Sequence, residues 1–365
     1  MSERSSLDLV DEFLIEVLPT SDPDELLAYG DTHPWELSGN RQWRSPATVQ
    51  FAQSLPDELY RSIGALVERR PDTGIRAYDG ADGSLSWLRH MPAAAHLSIE
   101  LAHAERFDPL EDVPQLLTLS LGGTLGASGS LGVLTKLEKL QELALEGHAK
   151  GFDAVAALPQ LRSLSLYASR VPSLEPLRGA VRLELLNLSF GRVRDFSAIA
   201  NLPSLRGVAI WQTKGMTAGN LAGIGELPAL EALDLGAMRT VESLDFLRGR
   251  AAGSLRYLLL EGMAGLTDWN AVEHLSVLEE LGVWGKAPIE ADVGPLLAAP
   301  RLDVLVFEQT VREEQAVRLT KDFRGSHLAV NKHERLRSDG DIRVGWRSGT
   351  VDMLRTSVHC RQWVG

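Results

Sequence analysis

The chain has 365 residues, of which 44% are hydrophobic and 24% charged, and its formal net charge is −12. This composition is that of an ordinary folded protein and excludes disorder of the whole chain. The negative charge argues against a dominant nucleic-acid-binding face, which needs an excess of lysine and arginine, and it permits a basic partner. Cys360 is the only cysteine, so an intrachain disulfide and a thiolate metal site are both excluded.

The first residues lack the pattern of a targeting segment. The apolar stretch before Pro19 is broken by Asp11, Glu12 and Glu16, and no basic region precedes it. No run in the chain approaches the roughly 20 apolar residues that span a bilayer. We therefore expect a cytoplasmic protein with no membrane partner.

The first 71 residues predict a helical segment. Within Leu55–Arg70, apolar side chains recur at helical spacing at the four positions Leu59, Ile63, Leu66 and Val67. A second helix is predicted within Ser6–Leu18. The stretch between them, which contains Trp35 and Trp43, has an irregular pattern that predicts no element.

From residue 72 to residue 309 one apolar pattern repeats. Its core is an apolar residue, two variable residues, a second apolar residue, one variable residue and a third apolar residue. The second apolar position, which we call the anchor, recurs at steps of 21 to 25 residues. A period of this length sustained over ten steps is the signature of stacked solenoid units. The anchors are Ile75, Leu97, Leu119, Leu143, Leu164, Leu186, Val208, Leu233, Leu258, Leu281 and Leu305.

Each repeat predicts a short strand preceded by a helical turn. The alternation around Leu164 and Leu166 places both leucines on one face of a strand and the serines between them on the other. Before the strand, Phe152, Val155 and Leu158 are spaced by three, which suits a 3-10 or short helical turn with one buried stripe. A single repeat cannot bury its apolar side alone, so we expect stacked repeats with a parallel sheet.

This pattern resembles the leucine-rich repeat family in its short, roughly 22-residue, internalin-like form. The residues that carry the resemblance are Leu116, Leu119, Leu121, Leu140, Leu143, Leu145, Leu161, Leu164, Leu166, Leu183, Leu186, Leu188, Leu230, Leu233 and Leu235. The resemblance implies an α/β solenoid shaped as a horseshoe, with a concave parallel sheet, 3-10 or short helices on the convex side, a helical N-terminal cap (1–71) and an α+β C-terminal cap (310–365).

One position departs from the family. Where the family usually has Asn or Cys, three residues after the last strand leucine, this chain has other side chains, among them His148, Ser169, Thr213 and Met238.

After the repeats, Thr310 and Glu313 have the spacing of a capping box that begins a helix. The segments 327–332, 342–346 and 357–364 then predict short strands. Together these elements predict the C-terminal cap.

Two groups of residues suggest a phosphate or metal site, and both are better explained by the repeats. The glycine-rich stretch Gly122–Gly132 lacks the ending of a phosphate-binding loop and the G-x-G-x-x-G order, so we interpret it as an inter-repeat loop. His96 and Glu100 share the exposed strand face, whereas His103 lies in the turn beyond and no HExxH motif is present. We therefore expect no metal and no cofactor.

The C-terminal segment suggests two further hypotheses, a catalytic residue pair and a nucleic-acid-binding segment. His359 and Cys360 are adjacent in a predicted strand, so they point to opposite faces and cannot form a nucleophile–base pair. We expect no enzymatic activity. Arginines beside aromatic residues can bind single-stranded nucleic acid, which makes a nucleic-acid-associated adaptor the alternative function. The residues concerned are Arg335, Arg337, Arg343, Trp346, Arg347, Arg355, Arg361 and Trp363.

The variable strand positions predict a protein-binding face. Four aromatic residues fall on the side of the strands expected to be exposed, together with seven carboxylates from Glu100 to Glu308 and no lysine or arginine. Aromatic anchors within an acidic field are typical of a protein interface, and they favour a basic protein partner over nucleic acid. The resemblance also implies protein recognition, including a toxin-neutralising or sensor role. The candidate partner-binding residues are Tyr167, Trp211, Asp234, Tyr257, Glu261, Glu280, Trp284 and Glu308.

Overall fold

The computed structural model describes residues 8–11, 14–32, 48–101, 104, 106–122, 129–285, 292–308, 311–331 and 333–336. The chain forms two compact units, residues 1–161 and 162–365. Each unit contains hydrogen-bonded parallel strands that are connected by short 3-10 or α-helical segments.

The strands of the first unit are β1 (Asp8–Asp11), β2 (Leu14–Glu16), β3 (Thr48–Gln53), β4 (Gly74–Gly80), β5 (His96–Glu100), β6 (Thr118–Gly122) and β7 (Glu142–Glu146). Its helices are α1 (Pro23–Thr32) and α2 (Asp57–Arg69), with 3-10 helices at Ser86–His90, Asp108–Asp112, Leu131–Lys136 and Phe152–Ala157. Strands β2 to β7 are parallel, and β1 pairs antiparallel with β2.

The strands of the second unit are β8 (Ser163–Tyr167), β9 (Leu185–Ser189), β10 (Gly207–Trp211), β11 (Ala232–Gly236), β12 (Tyr257–Glu261), β13 (Glu280–Trp284), β14 (Val304–Phe307), β15 (His327–Val330) and β16 (His333–Leu336). Its helices are α3 (Ala222–Gly225), α4 (Gly294–Ala298) and α5 (Glu313–Asp322), with 3-10 helices at Glu175–Leu177, Ser197–Ile199, Ala218–Leu221, Asp245–Arg248, Arg250–Gly253 and Asn270–His274. Strands β8 to β15 are parallel, and β16 pairs antiparallel with β15.

The strand register confirms the predicted anchors within each unit. In the first unit the ladder pairs Ile75 with Leu97, Leu97 with Leu119, and Leu119 with Leu143. In the second unit every anchor from Leu164 to Leu305 is paired with the next one. The ladder also continues beyond residues 72–309, because β2 and β3 precede it and β15 follows β14.

The N-terminal prediction is right for one helix and wrong for the other. Helix α2 lies within the predicted segment and buries the four predicted apolar side chains. The helix predicted within Ser6–Leu18 is wrong, because this segment forms β1 and β2. Ile15 and Val17 are buried on either side of the half-buried Glu16, which is the two-residue period of a strand. Trp35 and Trp43 lie outside the described residues.

The C-terminal helix is confirmed as α5, but the capping box is wrong. Glu313 is the first helical residue and Arg312 the N-cap, with no side-chain cap, so Glu313 stands two positions too early to reach back to the N-cap. Thr310 lies outside the described residues, as do the strands predicted at 342–346 and 357–364. The strand predicted at 327–332 is confirmed as β15.

The core lies between the strands and the short helical segments. Leu161, Leu164 and Leu166 of one repeat are each at most 2% exposed, and Phe152 and Val155 of the 3-10 helix Phe152–Ala157 are buried as their spacing predicted. The equivalent leucines of the neighbouring repeats are buried in the same way. Each leucine therefore contributes to a core shared between adjacent repeats.

In most repeats of the second unit, the residue directly after the strand forms a turn that is stabilised by a backbone hydrogen bond. These residues adopt left-handed backbone conformations with φ between 47° and 63°, namely Ala168, Phe190, Gln212, Ala237, Gly262 and Gly285. The first five donate their N–H groups to the last carbonyl of the next strand, at 2.7 to 3.0 Å. These backbone hydrogen bonds stabilise the turns without an asparagine ladder. The positions where such asparagines would stand are occupied by other residues, among them the buried Ser169, Thr213 and Met238.

In the first unit a histidine occupies the corresponding buried position. His148 is 1% exposed, and its ring meets Phe107 edge-on with 5.2 Å between the ring centroids. Burial lowers the pKa of His148 from 6.5 to about 4. The neutral imidazole is thus part of the folded core.

Replacing a core leucine should destabilise the protein far more than replacing an exposed strand residue. We expect Leu186→Ala to cost about 2–5 kcal/mol, because Leu186 is fully buried between Leu164 and Val208 on the adjacent strands. Ser163→Ala is the control and should stay within about 0.5 kcal/mol. Equal losses in urea melts would show that the leucine row is not the core.

A glycine should be favoured at the left-handed turn position. Gly262→Ala should cost about 1 kcal/mol, since its φ of 61° is unfavourable for a residue with a Cβ atom. Ala237→Gly, at the same position one repeat earlier with φ 53°, should cost nothing or stabilise by up to about 1 kcal/mol. Urea melts of both variants test this, and opposite signs would contradict the role of the turn.

The buried His148 should make folding sensitive to acid. Because its folded-state pKa lies below the unfolded value, stability is fully present above pH 6.5 and falls as the pH drops toward 4. We expect this group to remove about 2 kcal/mol between pH 8 and pH 5. In urea melts at both pH values, the loss of stability between pH 8 and pH 5 should be smaller by this amount for His148→Asn. His274→Gln, which changes an exposed histidine, should show the same loss as the unmodified protein. An unchanged pH dependence in His148→Asn would contradict the assignment.

Candidate protein-interaction surface

The candidate surface lies on the side of the second unit's strands that faces away from the leucine core. Side chains alternate along a strand, so the anchor leucines point into the core while the residues on either side of them point outward. We call this outward side of β8 to β15 the open face. The register aligns equivalent open-face residues of adjacent strands in rows.

One row carries both predicted tryptophans. Trp211 pairs with Gly236, Gly236 with Glu261, and Glu261 with Trp284, so the four residues lie side by side on β10 to β13. The indole of Trp211 lies close over Gly236, because a Cβ atom added at Gly236 would be 2.5 Å from Trp211 Cδ2. Glycine therefore provides the space that the indole occupies, and Glu261 lies between the two aromatic residues.

The neighbouring rows give this surface an apolar floor. Leu185, Ala209, Ala232 and Tyr257 form a buried cluster, and the half-buried Trp211 packs against it. These residues come from four consecutive strands, β9 to β12. The centre of the open face is therefore partly desolvated before any partner binds.

Two of the predicted exposed residues are in fact buried. Tyr257 is 8% exposed and Asp234 is 6% exposed, so the expectation that both side chains lie in water is wrong. Strands in a sheet are only about 4.8 Å apart, and large neighbours therefore cover the side chains between them. Burial raises the pKa of the Tyr257 hydroxyl.

The remaining predicted residues occupy the border of this centre. Glu280 pairs with Tyr257 across β12 and β13, and the pKa of its carboxyl is raised by burial and by the neighbouring Glu279. Tyr167 lies two strands from Trp211 and contacts Phe190 edge-on at 4.9 Å. Glu308 is exposed at the end of β14, where it accepts a hydrogen bond from the Gly285 N–H at 3.4 Å.

The structure thus brings six of the eight predicted residues together on four adjacent strands. They are Trp211, Asp234, Tyr257, Glu261, Glu280 and Trp284, while Tyr167 and Glu308 lie at the periphery. The open face of β8 to β15 contains no lysine or arginine. Its chemistry is that of an aromatic and apolar centre that also contains carboxylates, with further carboxylates at its border.

A polar network on the first unit was missed. Arg76 of β4 binds the Glu100 carboxylate through two nitrogens, at 2.6 and 2.9 Å, and also donates to Gln50 Oε1 at 3.1 Å. Tyr78 donates to Glu16 at 2.8 Å, and burial together with this hydrogen bond raises its pKa to about 12. The signal was present, since all these residues flank the anchors or their equivalents, but the predicted face began only at His96.

A second feature that was missed is a row of alternating charges two residues before each of the six anchors from Leu164 to Leu281. Arg206 binds Glu231, and Arg256 binds Glu279, each pair with a 2.7 Å contact between Nη2 and a carboxylate oxygen. Arg162 and Glu184 form a looser pair at 3.5 Å. The row places opposite charges on successive repeats, so it neutralises itself and favours one stacking order.

The alternative chemical sites gain no support. His96 contacts the Thr118 hydroxyl at 3.0 Å, and Glu100 is bound to Arg76. Within the part of the chain that the structure describes, no group of three His, Cys, Asp or Glu residues could hold a metal ion. His103, most of the glycine-rich loop, the His359–Cys360 pair and nearly all of the arginine-rich tail lie outside that part.

No helix among the described residues is long and apolar enough to cross a membrane.

Comparison with known proteins finds similarity only among solved structures. No family model matches the sequence, and no curated protein matches it. An internalin from Listeria monocytogenes is 15% identical, with 85% of this chain and 89% of that chain covered and a TM-score of 0.48. A leucine-rich repeat protein of Leptospira interrogans is 16% identical over 73% and 66% of the two chains, with a TM-score of 0.42. A plant peptide hormone receptor in complex with RGF2 is 12% identical over 71% and 51%, with a TM-score of 0.38.

The repeat geometry itself defines the fold. Parallel strands recur every 21 to 25 residues, their anchor leucines pair in register within each unit, and 3-10 or short α-helical segments return the chain to the next strand. A single repeat of this kind buries its leucines only against its neighbours. The chain has a leucine-rich repeat fold, with short repeats of 21 to 25 residues.

Proposed function

We propose that this protein is a recognition module without enzymatic activity, which binds a protein with a basic surface through the open face of β10 to β13. The observation that carries the proposal is the Trp211–Gly236–Glu261–Trp284 row above the Tyr257 cluster. Aromatic side chains that contact a partner bury a large area at low entropic cost, and they often dominate binding energy.

The charge of the open face supports the basic nature of the partner. Asp234 and Glu261 lie within the aromatic centre, Glu280 borders it and Glu308 lies at the periphery, and the open face of β8 to β15 carries no lysine or arginine. The Arg–Glu row beside it is self-neutralising and leaves this field in place. A negative field of this kind attracts positively charged proteins and repels nucleic acid. A protein that neutralises or senses a basic toxin is one form that such recognition could take.

The first test identifies the partner. The immobilised protein should retain a protein from cells of its source, and this retention should survive nuclease treatment and decrease at high salt. The variant with both Trp211→Ala and Trp284→Ala should lose the retained protein, whereas Val181→Ala, an exposed apolar control, should keep it. Retention that disappears with nuclease would instead support the nucleic-acid alternative through the C-terminal segment.

The second test measures the purified partner by surface plasmon resonance. Trp211→Ala and Trp284→Ala should each weaken binding by at least ~2 kcal/mol, about 30-fold, mainly through faster dissociation. Glu261→Lys and Glu280→Lys should slow association at low salt, and the effect should shrink as salt rises. Glu242→Lys, an exposed carboxylate outside the open face, is the matched control.

Melting temperatures show whether these variants remain folded. If both tryptophan variants are folded and bind like the unmodified protein, the open face is not the binding surface. Loss of binding in a variant with Arg343→Ala and Arg347→Ala would then assign that role to the C-terminal segment.

A further inference from the structure

A row of four cations lies where the chain leaves the strands β8 to β11. Each cation stands three residues after the last residue of its strand. The strand ends are paired in register, and each of the first three turns is bound to the next strand by a backbone hydrogen bond of 2.8 to 3.0 Å. The four positions therefore recur at about the strand spacing of 4.8 Å. We call these residues the cationic row: Arg170, Arg192, Lys214 and Arg239.

The cationic row has little counter-charge of its own. All four side chains are exposed, and none of them forms an ion pair or a hydrogen bond with the residues that the structure describes. A fifth cation, Arg194, donates a hydrogen bond to the Lys214 carbonyl and so lies beside the row. Against these five cations stand two carboxylates, Asp195 and Glu242, in the segments that connect the four strands to the following 3-10 helices, namely 168–174, 190–196, 212–217 and 237–244.

The same repeats arrange their other charged row in the opposite way. Two residues before the anchors, arginine and glutamate alternate, and Arg206 and Glu231 meet at 2.7 Å. The cationic row instead places like charges on successive repeats, where they repel one another. This repulsion lowers the stability of the repeats unless an anion from another molecule offsets it. The arrangement therefore favours an anionic ligand.

One exposed aromatic ring accompanies the cationic row. Phe190 precedes Arg192 by two residues and is 44% exposed. Its φ of 57° lies in the left-handed region, which is unfavourable for so large a side chain. The ring packs edge-on against Tyr167, with 4.9 Å between the centroids. The row thus offers an apolar contact beside its positive charges.

The length and surroundings of the row favour an acidic peptide segment over nucleic acid. Three strand spacings give roughly 14 Å, which three acidic residues at alternate positions of an extended chain would cover, at about 6.8 Å per step. The formal charge of the whole chain is −12, so a phosphate chain longer than the row would be repelled beyond it. Single-stranded nucleic acid also needs a series of stacking rings, and Phe190 is the only exposed aromatic residue in the four connecting segments.

We propose that the cationic row binds an extended acidic segment of another protein, with carboxylates on its arginine and lysine side chains and an apolar residue on Phe190. Arginine and lysine both form charge-assisted hydrogen bonds with carboxylates. The row is a second interaction surface, opposite in charge to the open face, and the proposal does not rest on the function proposed for that face.

Fluorescence anisotropy with labelled peptides tests the proposal. At low ionic strength an octaglutamate peptide should bind saturably, and octaglutamine should not. Raising the salt to about 0.15 M should weaken the binding at least fivefold, because the Debye length shortens to about 8 Å. A thymidine oligonucleotide of equal charge should bind at least threefold more weakly than octaglutamate. Replacing one central glutamate of the peptide by leucine should tighten binding at least twofold, despite the lost charge.

Variants separate the row from general attraction of anions. The row variant, with Arg192→Gln and Lys214→Gln, should bind octaglutamate at least tenfold more weakly. The control variant, with Arg301→Gln and Lys321→Gln, makes the same change of charge at exposed residues outside the row and should alter binding less than twofold. Phe190→Ala should remove the gain given by leucine. In urea melts the row variant should unfold at the same urea concentration as the control variant or at a higher one, because repulsion is relieved.

Several outcomes would overturn the inference. Octaglutamate that shows no saturable binding, or that binds the row variant and the control variant equally, would exclude the row as the site. A thymidine oligonucleotide that binds as tightly as octaglutamate would assign the row to nucleic acid instead. A row variant less stable than the control variant would show that the cations stabilise the turns. A gain from leucine that is absent, or that survives in Phe190→Ala, would overturn the apolar contact.

Discussion

The structure depends on the fact that one repeat cannot bury its own leucines. Each strand offers two or three apolar side chains to a core that exists only when the neighbouring repeats are present. Leu164, Leu186 and Val208 lie in one row for this reason, and their register fixes the register of everything else on the strands. The turn after the strand is held by the same stacking, since its N–H group binds the carbonyl of the next strand. Packing in the core therefore determines how residues are aligned on both faces of the sheet.

The packing of that core also aligns the residues of the open face in rows. Once the leucines are in register, the residues between them must align across strands at about 4.8 Å. Trp211 then lies beside Gly236, where a larger residue would collide with its indole, and Glu261 falls between the two tryptophans. The same alignment buries Tyr257 and Asp234 under their neighbours. A surface that is variable in sequence thus becomes a defined site because the invariant part of the repeat does not shift.

Much of the fold could be predicted because its signal is periodic. The 21 to 25-residue spacing gave the anchors, the strands and the direction of their side chains, since the alternation of core and open-face residues follows from strand geometry. The strands at Leu14–Glu16 and Thr48–Gln53 were not found, because their segments lack the repeat pattern and contain too few residues for a clear period. The capping box failed because Glu313 begins the helix itself, and spacing alone does not locate an N-cap.

The sequence pattern predicted which residues lie at the candidate site, but it did not predict how exposed their side chains are. Alternation assigns a side chain to a face, but it does not say how far the neighbours in adjacent strands cover it.

The charge of the site depends on where the charged residues lie within the repeat. The Arg–Glu pairs two residues before the anchors oppose each other in space, so those charges largely cancel, as the Arg206–Glu231 distance of 2.7 Å shows. The open face of β8 to β15, by contrast, carries carboxylates and no lysine or arginine. A chain can therefore carry many arginines near its strands and still present a negative surface, because the position within the repeat decides which charges meet and which face a partner.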